Sequence, residues 1–365
     1  MKMELNKYNL QDIALDFSYG TMPKDEDICE TGYPIFSGYR FVGFSSKYNI
    51  EKRSLAVVAR GVGGTGNVEI AEEKTFLTNL SIAVTINEEL ADLDFLKYYL
   101  NLQGLRYLDS GAAQSQITIS NLKHHKILIP DINIQKRIVH RIQCYDQLIE
   151  VNNKRIKVLE QMAENLYKEW FVRFRFPGHE TTVYENGLPK GWRIEKVGTV
   201  CDIITGKKDA NEATGNGKYP FFTCARETTL STDEYILDTD AVLISGNGSY
   251  TGLVKKYSGK FDLYQRTYAL FNFVDIEWLY LYWTFKTQFE REYMGGSHGS
   301  AIPYITKPNI EKFKIIVPTP DLQRRSQELF ERIHNECIKL EEQTANLIKQ
   351  RDLLLPRLMS GKLCI

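Results

Sequence analysis

The sequence predicts an α+β protein in which two tandem globular domains are joined by two long antiparallel coiled-coil helices. Three observations carry this expectation: the chain repeats itself, each repeat alternates short β-rich runs with a brief helical segment, and each repeat leads into an unbroken heptad pattern. Displaced by 186 residues, Tyr33-Pro34-Ile35-Phe36 falls on Tyr219-Pro220-Phe221-Phe222, and residues 33–84 match 219–270 without gaps at 12 of 52 positions. Ordinary residue usage would give roughly three. At a displacement of 188, residues 111–137 match 299–325 at 10 of 27 positions, centred on ITISNLKHHKILIP and ITKPNIEKFKIIVP. Self-similarity of this length marks a tandem duplication.

Each half has the same order of elements. β-Branched and aromatic runs bounded by Gly, Asn and Asp predict strands at Leu55–Ala59, Ser81–Ile86, Ala241–Ile244 and Thr267–Phe273. Brief helical segments are expected over Phe95–Tyr107 and Glu277–Glu292. An apolar run then ends at a proline, Ile127–Pro130 and Ile315–Pro318, and a long helix starts just beyond it. In the first long helix Ile138, Ile142, Tyr145, Ile149, Asn152, Ile156, Leu159, Ala163, Leu166 and Trp170 are spaced 4-3-4-3. In the second, Phe330, Ile333, Cys337, Leu340, Thr344, Leu347, Arg351 and Leu354 repeat at 3-4-3-4. Such spacing is the a/d seam of a coiled coil, narrower than the apolar face of a globular helix. About 30 residues at ~1.5 Å each make a rod of roughly 45 Å, long enough to hold two globules apart. Two core helices of ordinary bundles are the alternative. One helix leads from the first globule to the second and the other closes the chain, so an antiparallel pair is expected, with Asn152 and Thr344 meeting as a polar layer that fixes register. The expected division is 1–132 for the first globule, 133–176 for the central helix, 177–320 for the second globule and 321–365 for the closing helix.

Composition narrows the function classes. The 46 Lys and Arg balance 46 Asp and Glu over 365 residues, which excludes a polybasic binder and an acidic mimic of nucleic acid but leaves room for locally basic faces. No apolar stretch approaches the ~20 residues of a membrane span, and the N-terminus MKMELNKYNL lacks the apolar segment of a secretion signal. Six cysteines without CxxC or paired spacing favour a reducing, cytoplasmic setting and suggest neither a disulfide framework nor a zinc site.

Catalytic signatures are weak or missing. Gly61, Gly63 and Gly66 form a literal GxGxxG, but a dinucleotide site needs a helix after it, and Asn67-Val68-Glu69-Ile70 reads as strand. The second copy, from Gly246 to Gly252, does not keep the spacing. A glycine-rich turn between strands accounts for both. His124 and His125 align with Lys312 and Phe313 and are expected to be surface histidines. Neither GxxxxGK[ST], GxSxG nor HExxH occurs, nor does the tetrapeptide with which amino-methyltransferases hold a flipped base. A duplicated module without catalytic residues suits reading two separated segments of one long ligand, such as duplex DNA, whose same-face sites recur about every 34 Å. A two-headed protein-interaction scaffold stays open on these grounds.

The helical segments resemble a known family. Residues 149–178, IEVNNKRIKVLEQMAENLYKEWFVRFRFPG, followed by GLPKGW at 187–192, look like the central region of the specificity subunits of type I restriction-modification enzymes. LLLPRLMSGKL at 353–363 resembles that family's ending, and ITKPNIEKFKIIVP at 305–318, with Gln323 beyond it, resembles its passage from recognition domain to helix. The resemblance covers the whole chain, although the first domain lacks a counterpart of the Gly187–Trp192 lead-in. It implies a non-catalytic DNA-binding subunit with two target-recognition domains, each reading one half of an interrupted sequence, and helices that set the gap. It further implies docking of two modification subunits that methylate adenine from S-adenosylmethionine, and, with restriction subunits added, cleavage driven by ATP and magnesium. No cofactor or metal is expected on this chain.

Recognition domains read different half-sites, so base-reading positions should differ between copies, while shared positions serve the fold or phosphate binding. Arg40 and Arg226 align and are expected at phosphates, a surface salt bridge being the alternative. Arg60 and Asn67 in one glycine-rich turn, and Asn247, Ser249 and Tyr250 in the other, are candidate base contacts, since Arg pairs with guanine and Asn with adenine. Asn79 against Gln265, and Leu80 against Arg266, are further copy-specific differences. Lys207-Lys208 and Lys255-Lys256 would give the second domain basic loops.

Overall fold

Proline ends the apolar run before each long helix, because a residue without an N–H cannot extend a β-ladder. The helices begin two residues later, at Ile132–Tyr167 and Pro320–Met359. The computed structural model describes residues 3–61, 64–109, 115–294 and 304–363. It divides into one unit of residues 1–152 with 343–365 and another of 153–342, so each unit takes a portion of both long helices.

Every position of the expected seams is buried or half-buried, and most positions between them are exposed. In the first unit Ile138 and Ile142 share a core with Leu358 and Met359, while Asp146 pairs with Arg351 at 2.7 Å. In the second, Ala163 and Tyr167 share a core with Phe330, while Arg155 pairs with Glu336 at 3.1 Å. Later residues of one helix meet earlier residues of the other in both cases, so the pairing is antiparallel. The Asn152–Thr344 polar layer does not form as expected. No hydrogen bond joins the two, and Thr344 Oγ1 is buried without a partner. The ion pairs Asp146–Arg351 and Arg155–Glu336 accompany the antiparallel pairing on either side.

In the first unit the strand Asn6–Asn9 pairs antiparallel with Lys126–Ile129. One four-stranded sheet is ordered Ala14–Tyr19, Ser81–Ile86, Ser54–Val58, Val68–Ala71, and a second is ordered Ile28–Cys29, Arg40–Ser45, Tyr33–Ser37, Phe76–Leu77. The helix Leu93–Gln103, capped by Asp92 through Phe95 N–H at 2.9 Å, lays Leu96 and Tyr99 on Leu55, Val57, Ile82 and Val84.

The second unit repeats this plan with a difference. Arg193–Lys196 pairs with Lys314–Val317, and a single six-stranded sheet runs Asp202–Thr205, Thr267–Phe271, Leu237–Ser245, Val254–Leu263, Tyr219–Phe222, Leu230–Thr232. Val254–Leu263 is continuous, whereas its counterpart breaks into Val68–Ala71 and Phe76–Leu77 around Lys74, whose φ is 58°. One unbroken strand therefore makes one sheet where the first unit has two. The parallel pairs Ile35–Phe76 and Phe221–Asp262 keep the 186-residue displacement. The gapless match slips once: Leu55 pairs with Val84 and Val242 with Leu270, so Leu55 corresponds to Val242 rather than Ala241.

The segment expected to be helical over Glu277–Glu292 is helical from Trp278 to Met294, widened to a π-helical turn at Phe285–Phe289. Two further expectations are corrected. Lys255 and Lys256 lie in the strand Val254–Leu263, not in a loop. His125 is buried rather than on the surface: Nδ1 lies 2.6 Å from Tyr107 Oη and Nε2 lies 3.0 Å from Gln103 Oε1, and burial lowers its pKa. His124 is exposed.

Candidate nucleic-acid interface

In each unit several connections converge at one end of the β-structure. In the second, Gly246 N–H donates to Arg266 C=O at 2.9 Å, joining the 246–252 loop to the turn after Val254–Leu263. Gln265 N–H donates to Lys208 C=O at 3.0 Å, and the Arg226 guanidinium lies 5.5 Å from the Tyr250 ring centre. Arg226, Asn247, Ser249, Tyr250, Gln265, Arg266, Lys207 and Lys208 are thereby brought onto one rim.

The first unit builds the same rim from equivalent residues. Ala59 N–H donates to Leu80 C=O at 2.8 Å, the counterpart of Gly246 to Arg266, with Arg60 next along the chain, and Thr78 N–H donates to Phe36 C=O at 3.0 Å as Tyr264 donates to Phe222 at 2.9 Å. Gly64 packs on Tyr39, where a Cβ would come within 2.9 Å of the ring. Arg40, Arg60, Asn67 and Asn79 therefore share this rim. No helix follows the glycine-rich turn, which leads into the strand Val68–Ala71; Val62 and Gly63 lie outside the described residues.

Arg40 and Arg226 are exposed, and each lies 5.5 Å from a tyrosine ring, Tyr39 and Tyr250, without an ion pair to any described residue. The salt-bridge alternative is not what the structure contains. A guanidinium stacked on an aromatic face keeps its outward N–H groups for an incoming anion. Lys208 differs. It sits 2.8 Å from buried Asp262 and 3.2 Å from Glu234, and the Asp262 carboxylate raises its pKa. It anchors the rim, while Lys207 beside it is exposed. Gln265 Nε2 donates to Asp209 Oδ2 at 3.2 Å. Lys255 Nζ donates to Ala225 C=O at 2.7 Å, and Lys256 Nζ lies over the Tyr282 ring at 4.5 Å and 3.8 Å from Glu160. Both are held inward by burial and contribute little to an open basic face.

The sequence reading missed Tyr39, Phe41 and Val42, large exposed side chains on either side of Arg40. The available signal was Gly38 aligned with Cys224, which changes the turn that carries them.

The family described as type I restriction modification DNA specificity domain matches residues 3–161 and again 189–350, once on each copy. The chain belongs to this specificity family. The EcoDI type I restriction enzyme specificity subunit of Escherichia coli is 37% identical over 180 residues, 48% of this chain and 39% of that protein. The MjaIX specificity subunit of Methanocaldococcus jannaschii is 25% identical over 287 residues, 71% of this chain and 65% of that protein. The chain thus spans less than two thirds of either relative. A type I restriction-modification S subunit from M. genitalium, 21% identical, shares the fold with a TM-score of 0.67 over 98% of this chain and 96% of that one.

Proposed function

We propose that this chain is the DNA-specificity subunit of a type I restriction-modification system, each unit reading one half of a bipartite duplex target. The observation that carries this reading is the doubled rim: equivalent backbone hydrogen bonds hold equivalent loops, while the exposed side chains differ between copies. Invariant backbone with variable side chains is what two modules of one fold need to read two different half-sites. Arg40 and Arg226, retained in both copies, would sit at phosphates. Arg60, Asn67 and Asn79 in one unit, and Asn247, Ser249, Tyr250, Gln265 and Arg266 in the other, would face base edges. Lys207 would add charge at the rim.

In this reading the chain performs no catalysis. Two modification subunits dock along the long helices and supply methylation with S-adenosylmethionine, and restriction subunits, where present, bring ATP and magnesium. The helices set the gap between half-sites. Among the described residues no group of three metal-binding side chains occurs and no helix is long and apolar enough to cross a membrane. Methylome sequencing of a host expressing this chain with its modification partner should reveal one interrupted motif. A scaffold that only binds proteins would leave no chain-dependent motif. Adding a heptad to both helices should widen the gap, and an unchanged gap would remove the ruler.

A further inference from the structure

The first unit has a feature that its copy lacks. Tyr33–Ser37 and Arg40–Ser45 form a hairpin closed by the two-residue turn Gly38-Tyr39, with Ser37 paired to Arg40. Gly38 takes φ 63°, the left-handed region that a two-residue hairpin turn with glycine first requires. Cys224 replaces it in the second unit, where β-branching is not needed to make positive φ costly, and pairing there stops at Phe221–Leu230, leaving a loop over 223–229. The hairpin tip exposes Tyr39 by 47%, Phe41 by 52% and Val42 by 57%. Their aligned residues are Ala225, Glu227 and Thr228.

We propose that this ribbon reads thymine methyl groups in the major groove through Phe41 and Val42, with Arg40 at the adjoining backbone. The proposal rests on the reading of each unit as a DNA-recognition module and names the chemistry that the first one selects. Four observations converge on it. A two-stranded ribbon fits the major groove, where the 5-methyl of thymine is the one apolar group on a base edge. The Phe41 ring is fixed by edge contacts to Phe36 at 6.0 Å and Phe44 at 5.1 Å, so its exposed face is pre-positioned. Tyr39 ties the tip to Gly64 and hence to the rim carrying Arg60, Asn67 and Asn79. Arg40, unpaired amid the apolar group, favours a polyanion over an apolar protein surface. In the second unit the loop over 223–229 carries Glu227, which can only accept hydrogen bonds and suits a cytosine amino group instead.

The test uses the full chain assembled with its modification subunits and the duplex target found by methylome sequencing. The half-site of the first unit is the one left unchanged when residues 195–320 are exchanged for those of a relative. Each thymidine in that half is replaced by deoxyuridine, which removes only the methyl group, and binding is followed by fluorescence anisotropy. At least one replacement should weaken binding about fourfold, the worth of one buried methyl. The Phe41→Ser, Val42→Thr double variant, altered only at exposed positions, should bind both duplexes alike. Indifference of the unaltered complex to uracil, persistence of the effect in the variant, or a half-site without thymine would overturn the proposal. Loss of assembly with modification subunits in the variant would also overturn it and make the ribbon a protein contact. Absence of any sequence-selective duplex binding would instead sink the underlying reading of the chain.

Discussion

Gln135 and Gln323 make the same pair of hydrogen bonds in the two units. Each amide nitrogen donates to the carbonyl of a proline five residues earlier, Pro130 at 2.8 Å and Pro318 at 2.9 Å. Each amide oxygen accepts a backbone N–H at the start of the short helix, Asp92 at 2.9 Å and Glu277 at 3.0 Å. Both side chains are buried, so the glutamine fastens three segments together: the strand exit, the long helix and the short helix. Replacing Gln323 by leucine strands two buried backbone groups, each costing about 1–3 kcal/mol. Urea denaturation should show Gln323→Leu less stable by about 3 kcal/mol, and Gln135→Leu by a similar amount. A neutral substitution would remove the fastening role.

Arg351 occupies a seam position and still contributes through charge, its Nη1 lying 2.7 Å from Asp146 Oδ1, while Tyr98 also donates to Asp146. This pair is partly shielded, so Arg351→Ala should cost about 1–3 kcal/mol, more than a surface pair. In a double-mutant cycle with Asp146→Ala the two losses should not add. Additive losses would show that the ion pair contributes nothing to helix pairing in the first unit.

His334 gives the second unit a pH dependence. Both ring nitrogens are buried without hydrogen bonds, the ring packs edge-on to Trp278, and burial together with the nearby Lys256 ammonium lowers its pKa to about 4. An unfolded histidine titrates near 6.5. The folded state therefore prefers the neutral ring, its contribution is complete above pH 6.5, and it is lost progressively as the pH falls from 6.5 to 4. Thermal melts at pH 7 and pH 5 should separate less for His334→Phe, which keeps the aromatic contact, than for the parent. An equal separation would contradict the assignment.

The two stacked arginines and the turn glutamine should behave differently toward DNA. Arg40→Ala and Arg226→Ala, assembled with modification subunits, should each lower affinity for all duplexes and reduce the slope of log affinity against log salt by about one. Gln265→Ala should leave the slope unchanged and relax preference at one base pair. Salt titrations on matched and single-mismatch duplexes read both quantities, and a reversed pattern would exchange the roles.

The repeat and the seams were legible because they rest on periodicity: Ile138, Ile142, Ala163, Phe330 and Leu340 are buried as their spacing requires. The rim was legible in part, since aligning the copies placed Arg40 with Arg226 and Asn79 with Gln265 on loops that do converge. What depends on long-range partners was not. Lys208 is claimed by Asp262, 54 positions away, and His125 by Tyr107 and Gln103, and no local pattern announces either. The break at Lys74 and the slip that matches Leu55 with Val242 follow from strand pairing, which a gapless alignment cannot express.

Division of labour between the two units is the central claim, and exchanging one unit tests it most directly. Residues 195–320 are replaced by the corresponding region of a relative with a different target, the chimera is expressed with the modification subunits, and the host methylome is sequenced. One half of the bipartite motif should change while the other half and the gap stay as they were. A motif altered in both halves, or in neither, would contradict the account.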